Sequence, residues 1–151
     1  SLANQGVHYI DLVQWWGGPL RSVTGWINTF AHKIETEDLS NSLWRFESGA
    51  WASIVTTTCN TPGRGTVVEI SGDQGTIVWH DNKIELWETQ TGAKLEDFSA
   101  PPDLPGGIIA DMVSAVTKGT KPAVDGHEGR KTVAIIEAVY RSASEGKAVT
   151  L

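Results

Sequence analysis

The first apolar positions of the chain recur at a helical spacing. At 100° per residue, Tyr9, Ile10, Val13 and Trp16 share one side, with Leu12 at its margin. Asn4, His8, Asp11 and Trp15 fall within about 60° of one another on a different face. Asn4 is a good N-cap residue and Gly17-Gly18-Pro19 a strong stop, so the pattern predicts a helix over 4–16. The period then becomes that of a strand. Residues 21–30 alternate, with Trp26, Asn28 and Phe30 on one face and Val23, Ile27 and Thr29 on the other. Further strands are predicted over 40–46, 50–58, 66–71, 76–79 and 84–87. They are separated by turns such as Glu47-Ser48-Gly49, Gly72-Asp73-Gln74-Gly75 and Asp81-Asn82. Connections this short mean antiparallel pairing, because a parallel crossover needs a dozen residues or more.

Residues 89–105, polar and with three prolines, read as a connector. Ile108, Ile109, Met112, Val113 and Val116 mark a second amphipathic helix, closed by Lys118-Gly119. Asp125-Gly126-His127-Glu128 has capping-box spacing, with Asp125 as N-cap and Glu128 reaching back. The helix it starts runs to about residue 143, burying Val133, Ile136, Val139 and Tyr140, and Gly146 ends it. Val149-Thr150-Leu151 adds an edge strand. A helix, a run of strands and two more helices make an α+β layout, read as a single domain over 1–151.

Composition narrows the function classes. With 40% hydrophobic and 20% charged residues the chain is globular rather than disordered. A net charge of −6 without any Lys/Arg cluster leaves no footprint for nucleic acid. No apolar run reaches the roughly 18 residues of a membrane span, and the start has no signal-peptide layout. The lone Cys59 suits a reducing compartment, so a cytoplasmic location and no membrane partner are expected. Seven Trp against five Phe and Tyr suggest either a sugar-stacking surface or, more in keeping with a sheet, a core face and subunit interface. The chain opens Ser1-Leu2-Ala3, without an initiator Met, straight into a predicted helix, as an excised piece of something longer would.

A dinucleotide fold needs a strand, a glycine-rich turn and a helix N-terminus aimed at the pyrophosphate. Gly63-Arg64-Gly65 leads instead into strand-like Thr66-Val67-Val68, and Gly106-Gly107 opens a helix without the third glycine. No NAD or NADP is expected to bind this chain alone. His8, His32, His80 and His127 are scattered without ligand spacing, so no metal site is predicted. Cys59 reads as a structural thiol, His127 and Glu128 as capping residues and His80 as an exposed hairpin residue. No role emerges for His32.

The remaining candidate is the stripe Asn4, His8 and Asp11. An imidazole titrates near neutral pH and can exchange a proton with a substrate hydroxyl. An amide and a carboxylate on adjacent turns can hold neighbouring hydroxyls and orient the ring. The same residues also read as a cap, a partly buried ring and a solvated acid, and spacing alone does not separate the two readings.

A resemblance adds to this. Asn4-Gln5-Gly6-Val7-His8-Tyr9-Ile10-Asp11-Leu12, followed by Trp15-Trp16-Gly17-Gly18, resembles the segment that opens the C-terminal domain of the Gfo/Idh/MocA oxidoreductases, which include glucose–fructose oxidoreductase and inositol dehydrogenase. The likeness continues through Glu37-Asp38, Phe46-Glu47-Ser48-Gly49-Ala50, Ile70-Ser71-Gly72-Asp73-Gln74-Gly75-Thr76-Ile77, Gly126-His127-Glu128-Gly129-Arg130 and Glu137-Ala138-Val139-Tyr140-Arg141-Ser142-Ala143 to the tail. It implies an open, mostly antiparallel sheet with helices on one face, similar to the C-terminal domain of glyceraldehyde-3-phosphate dehydrogenase. It further implies a homo-oligomer formed through the sheet's other face, which Trp26 and Trp44 would suit. The implied enzyme uses NAD or NADP on a sugar or polyol, with His8 as catalytic acid/base and Asn4 and Asp11 binding substrate. Its cofactor fingerprint and lysine belong to an N-terminal Rossmann domain absent from this chain, so the hydride chemistry is incomplete here. The alternatives are a stand-alone assembly or carbohydrate-binding module, or part of an NAD-dependent glycosidase.

Overall fold

The computed structural model describes residues 1–99 and 106–151; the end of the predicted connector, 100–105, lies outside the described residues. The chain forms two compact units, one of Ser1–Asn60 with Lys118–Leu151 and one of Thr61–Thr117. All strand pairs are antiparallel.

The first unit opens with a π turn, Leu2–Gly6, which runs into helix α1, Val7–Gly17. Strands β1 (Leu20–Asn28), β2 (Leu39–Phe46), β3 (Trp51–Thr57) and the short C-terminal β7 (Val149–Thr150) form a sheet of order β3-β2-β1-β7. The predicted edge strand is therefore real, pairing Val149 with Val23. Helix α3, Gly126–Glu145, lies against β1. Its N-terminus is capped by Asp125, whose carboxylate accepts from the N–H groups of His127 and Glu128. Glu128 does not reach back as a capping box would. It pairs with Lys131 at 2.6 Å, one turn along.

One face of the sheet carries the core. Val23, Trp44, Phe46 and Val149 pack with Ile135, Ile136, Ala138 and Val139 of α3 and with Leu2 and Ile10 from the opening segment. Val133, predicted in this core, is exposed, and Ile135 takes the inward position. Trp44 is corrected likewise. It stands opposite Val23 in the ladder and is wholly buried, its indole N–H donating to Ser42 Oγ at 2.9 Å. It belongs to the core, not to the outward face. That face instead shows Trp26, Leu43, Trp51 and Val55, all exposed, with the Arg45 guanidinium 4.9 Å above the Trp51 ring.

Two glycines set how closely the layers approach. A Cβ on Gly17 would lie 2.3 Å from the Phe46 ring, so the end of α1 rests directly on the core. On Gly25 it would lie 2.8 Å from Val139 Cγ1, while the Gly25 N–H donates to Ser142 Oγ of α3 at 3.0 Å. Helix and sheet thus meet backbone to side chain.

The second unit holds strands β4 (Val67–Gly72), β5 (Gly75–His80) and β6 (Lys83–Thr89) in that order, a 3₁₀ turn at Leu95–Asp97 and helix α2, Gly107–Lys118. Trp87 stacks at a tilt on Phe98, and its indole N–H donates to the Ala93 carbonyl at 2.8 Å. His80 is not a free hairpin residue: its ring meets Glu85 at 2.8 Å and the Arg64 carbonyl at 3.0 Å. Helix α2 forms where predicted, but its apolar residues Ile108, Ile109, Met112, Val113 and Val116 are exposed.

The Gly25 contact gives a direct test. Gly25→Ala forces a methyl against Val139 and is expected to lower the unfolding free energy by about 1–3 kcal/mol in urea titrations. An unchanged midpoint would show that α3 stands off from the sheet.

Candidate functional site

The predicted site residues all lie on the opening segment, and the structure explains why that segment holds its position. Leu2 and Ile10 are fully buried and face the core, which turns Asn4, His8 and Asp11 outward, where all three are exposed. Asn4 is not the N-cap predicted for it. It sits inside the π turn, closed by the Gly6 N–H donating to the Ser1 carbonyl at 3.0 Å, and α1 begins with Gly6 at the cap position and no side-chain cap. Among the described residues the Asn4 and His8 side chains make no hydrogen bond. Widened turns of this kind occur frequently at functional sites, because the inserted residue re-aims its neighbours.

His8 and Asp11 are three residues apart on α1 and so neighbour each other on one face. Trp15, exposed on the following turn, lies on the same face of the helix. Asp11 is held from outside its own helix, its Oδ1 accepting from Thr132 Oγ1 of α3 at 2.7 Å. It is a positioned carboxylate rather than a freely solvated one. Two surface depressions, of about 280 and 550 Å³, lie on the second unit and include none of these residues.

What anchors the segment is Glu37, just before β2. Its buried carboxylate accepts from the Ser1 amino group at 2.8 Å, the Leu2 N–H at 2.5 Å, Thr36 Oγ1 at 2.6 Å and Tyr140 Oη of α3 at 2.8 Å. Burial works to raise its pKa, but the Ser1 amino group, the Thr36 hydroxyl, the Leu2 N–H and the Tyr140 hydroxyl together lower it from 4.5 to about 2. Tyr140 moves the opposite way, raised by burial and by its bond to Glu37.

The next residue does comparable work for a loop. Asp38 is fully buried and accepts from the N–H groups of Phe30 (2.7 Å), Ala31 (2.8 Å) and His32 (2.9 Å), with the His32 ring at 3.1 Å. Burial would raise this carboxyl, but those N–H groups and the Cys59 thiol hold it well below the ordinary carboxylate range. Cys59 Sγ donates to the Asp38 carbonyl at 3.4 Å. His32, for which the sequence suggested no role, thus has two chemically active neighbours. Their separations of 6 and 27 residues match no ligand motif, and the only sequence signal was the acidic pair at 37–38.

A family model described as the GFO/IDH/MocA C-terminal domain matches residues 1–78, from the π turn into β5. The chain belongs to the GFO/IDH/MocA family. Among its relatives are D-apiose dehydrogenases of Paraburkholderia graminis, 25% identical over 97% of this chain and 43% of the relative, and of Rhizobium rhizogenes, 27% identical over 97% and 47%. A solved structure of the WlbA dehydrogenase from Bordetella pertussis, in complex with NADH and UDP-GlcNAcA, superposes with a TM-score of 0.82 at 29% identity, covering 99% of this chain and 44% of that one. The chain thus spans less than half the length of each of these three relatives. The α+β fold with antiparallel sheets agrees with the C-terminal domain of this family. No helix among the described residues is long and apolar enough to cross a membrane.

The anchoring carboxylate has a pH signature. Because the folded pKa of Glu37 lies below its unfolded value, its stabilisation is fully present above pH 4.5 and is lost as pH falls through about 2. Glu37→Gln is expected to lower stability at neutral pH and to flatten the acid limb of a stability–pH curve between those values. An acid limb as steep as that of the unaltered chain would refute the anchoring role.

Proposed function

We propose that this chain is the substrate-binding half of an NAD(P)-dependent oxidoreductase acting on a sugar, polyol or related hydroxy or carbonyl compound. The observation that carries the reading is the family match, which begins on the segment bearing Asn4, His8 and Asp11. The carbohydrate substrate class rests on relatives named for D-apiose and on a neighbour solved with UDP-GlcNAcA.

Gly63 and Gly65 lead into strand β4, not into a helix N-terminus, so the described residues contain no strand, glycine turn and helix unit built around this pair. In this reading NAD or NADP is held by the N-terminal Rossmann domain that the chain does not contain, and it supplies hydride transfer when bound there. The residues present do the rest. His8, exposed and without a competing hydrogen bond among the described residues, exchanges the proton of the substrate oxygen through its imidazole. Asp11, held by Thr132, accepts from a substrate hydroxyl or from the His8 ring, and the Asn4 amide binds a neighbouring hydroxyl. Trp15 offers its face to the sugar ring.

The outward face of the four-stranded sheet supports the oligomer reading. Trp26 and Trp51 are each about three-fifths exposed on it, and Leu43 and Val55 extend the apolar surface. In this proposal a second copy packs there.

Two measurements test these roles. In the protein restored with its upstream half, His8→Ala is expected to lower kcat by about 10²–10⁴-fold with a smaller change in KM. Turnover equal to the unaltered enzyme would take His8 out of the chemistry. Trp26→Asp should convert a dimer or larger assembly to monomer in sedimentation equilibrium; an unaltered assembly would place the interface elsewhere.

A further inference from the structure

We propose that His32, Asp38 and Cys59 form a binding site for one borderline-soft divalent cation of the zinc type. One imidazole nitrogen, one carboxylate oxygen and the Cys59 sulfur all lie within 4.8 Å of one another. The closest pair is already near the spacing an ion requires. With metal bonds of about 2.0–2.2 Å in tetrahedral geometry, a nitrogen and an oxygen ligand stand about 3.3 Å apart. His32 Nδ1 and Asp38 Oδ2 stand 3.1 Å apart.

The surroundings suit a ligand set more than a simple hydrogen bond. The N–H groups of Phe30, Ala31 and His32 fix the Asp38 carboxylate, as outer donors fix ligating carboxylates in metal centres. The charges also balance: one carboxylate, one thiolate and a neutral imidazole neutralise a dication. The buried Asp38 gains a full positive partner in place of a hydrogen bond from a half-exposed ring.

Binding is written without redox change. The cation takes Cys59 Sγ as thiolate, and the thiol proton, now directed at the Asp38 carbonyl, leaves to solvent. The imidazole, whose Nδ1–H now donates to Asp38 Oδ2, shifts that proton to Nε2 through solvent and presents its Nδ1 lone pair to the cation. His32 is exposed and Cys59 half-buried, so the ion has an open path, and the fourth coordination position remains for water. The mixed sulfur, nitrogen and oxygen set selects zinc-like ions over magnesium or calcium, which take oxygen ligands.

Zn²⁺ alone is the probe. Equilibrium dialysis of the 151-residue chain is expected to show one ion bound, with Co²⁺ in its place giving a thiolate-to-cobalt charge-transfer band. His32→Ala, at an exposed position, should weaken Zn²⁺ binding by about tenfold or more, and Cys59→Ser should abolish the cobalt band. In the unaltered chain Zn²⁺ should also slow alkylation of Cys59, a readout that does not depend on how a variant folds. Binding below one ion per chain at saturating Zn²⁺, alkylation unaffected by Zn²⁺, or undiminished binding in both variants would each overturn the site.

Discussion

The arrangement of the first unit depends on one carboxylate that has left water and found a donor on every side. Stripping an ionised carboxylate of solvent costs several kcal/mol, and only a full set of short hydrogen bonds offsets it. Glu37 obtains that set from the opening residues, from Thr36 and from Tyr140 on the long helix. Three segments far apart in the sequence are thereby tied to one point at the entrance of β2. Displacing any of them leaves a buried charge short of donors, so the bond set acts as a clamp and not as a sum of separate contacts.

Glu37 and Asp38 are consecutive and serve different partners. Glu37 gathers the opening turn and α3, whereas Asp38 gathers the backbone of residues 30–32 and the approach of Cys59. The Asp38 main chain is tied as well, its N–H to the Asn28 carbonyl and its carbonyl to the Thr58 N–H. Two adjacent acids in an otherwise half-apolar region would ordinarily repel. Each is instead stabilised by its own ring of donors, which accounts for a charged pair persisting at a buried strand end.

Much of the fold was legible from period alone. Every predicted strand and helix is present within a few residues, because alternation and the 3.6-residue repeat are direct consequences of which side a residue presents. Orientation was harder. Trp44 and Trp26 are both large aromatic residues in neighbouring strands, and only the register, which pairs Trp44 with Val23, separates core from surface. Val133 was misplaced because the stripe through Val133, Ile136 and Tyr140 is rotated from the buried one, which runs through Thr132, Ile135, Ile136, Ala138, Val139 and Ser142. The candidate site was legible as a stripe on one helix, but its anchors were not. The Asp11–Thr132 bond joins residues 121 positions apart, and the cluster at Asp38 joins three segments with no local motif. Such contacts arise from tertiary packing, to which a local pattern is blind. The π turn escaped as well, since a single sequence carries no signal that distinguishes it from the first turn of an α-helix.

The opening segment keeps two sets of positions apart. Leu2 and Ile10 face the core and settle where the segment lies, whereas residues 4, 8, 11 and 15 contribute almost nothing to that core. The outward set is therefore open to substitution while the inward set, with Glu37, preserves the frame. Substitutions at such exposed positions usually cost little stability. A scaffold of this kind is evolvable: the chemistry of one exposed helix face can be rewritten by a few substitutions while the seat of the helix stays as it is.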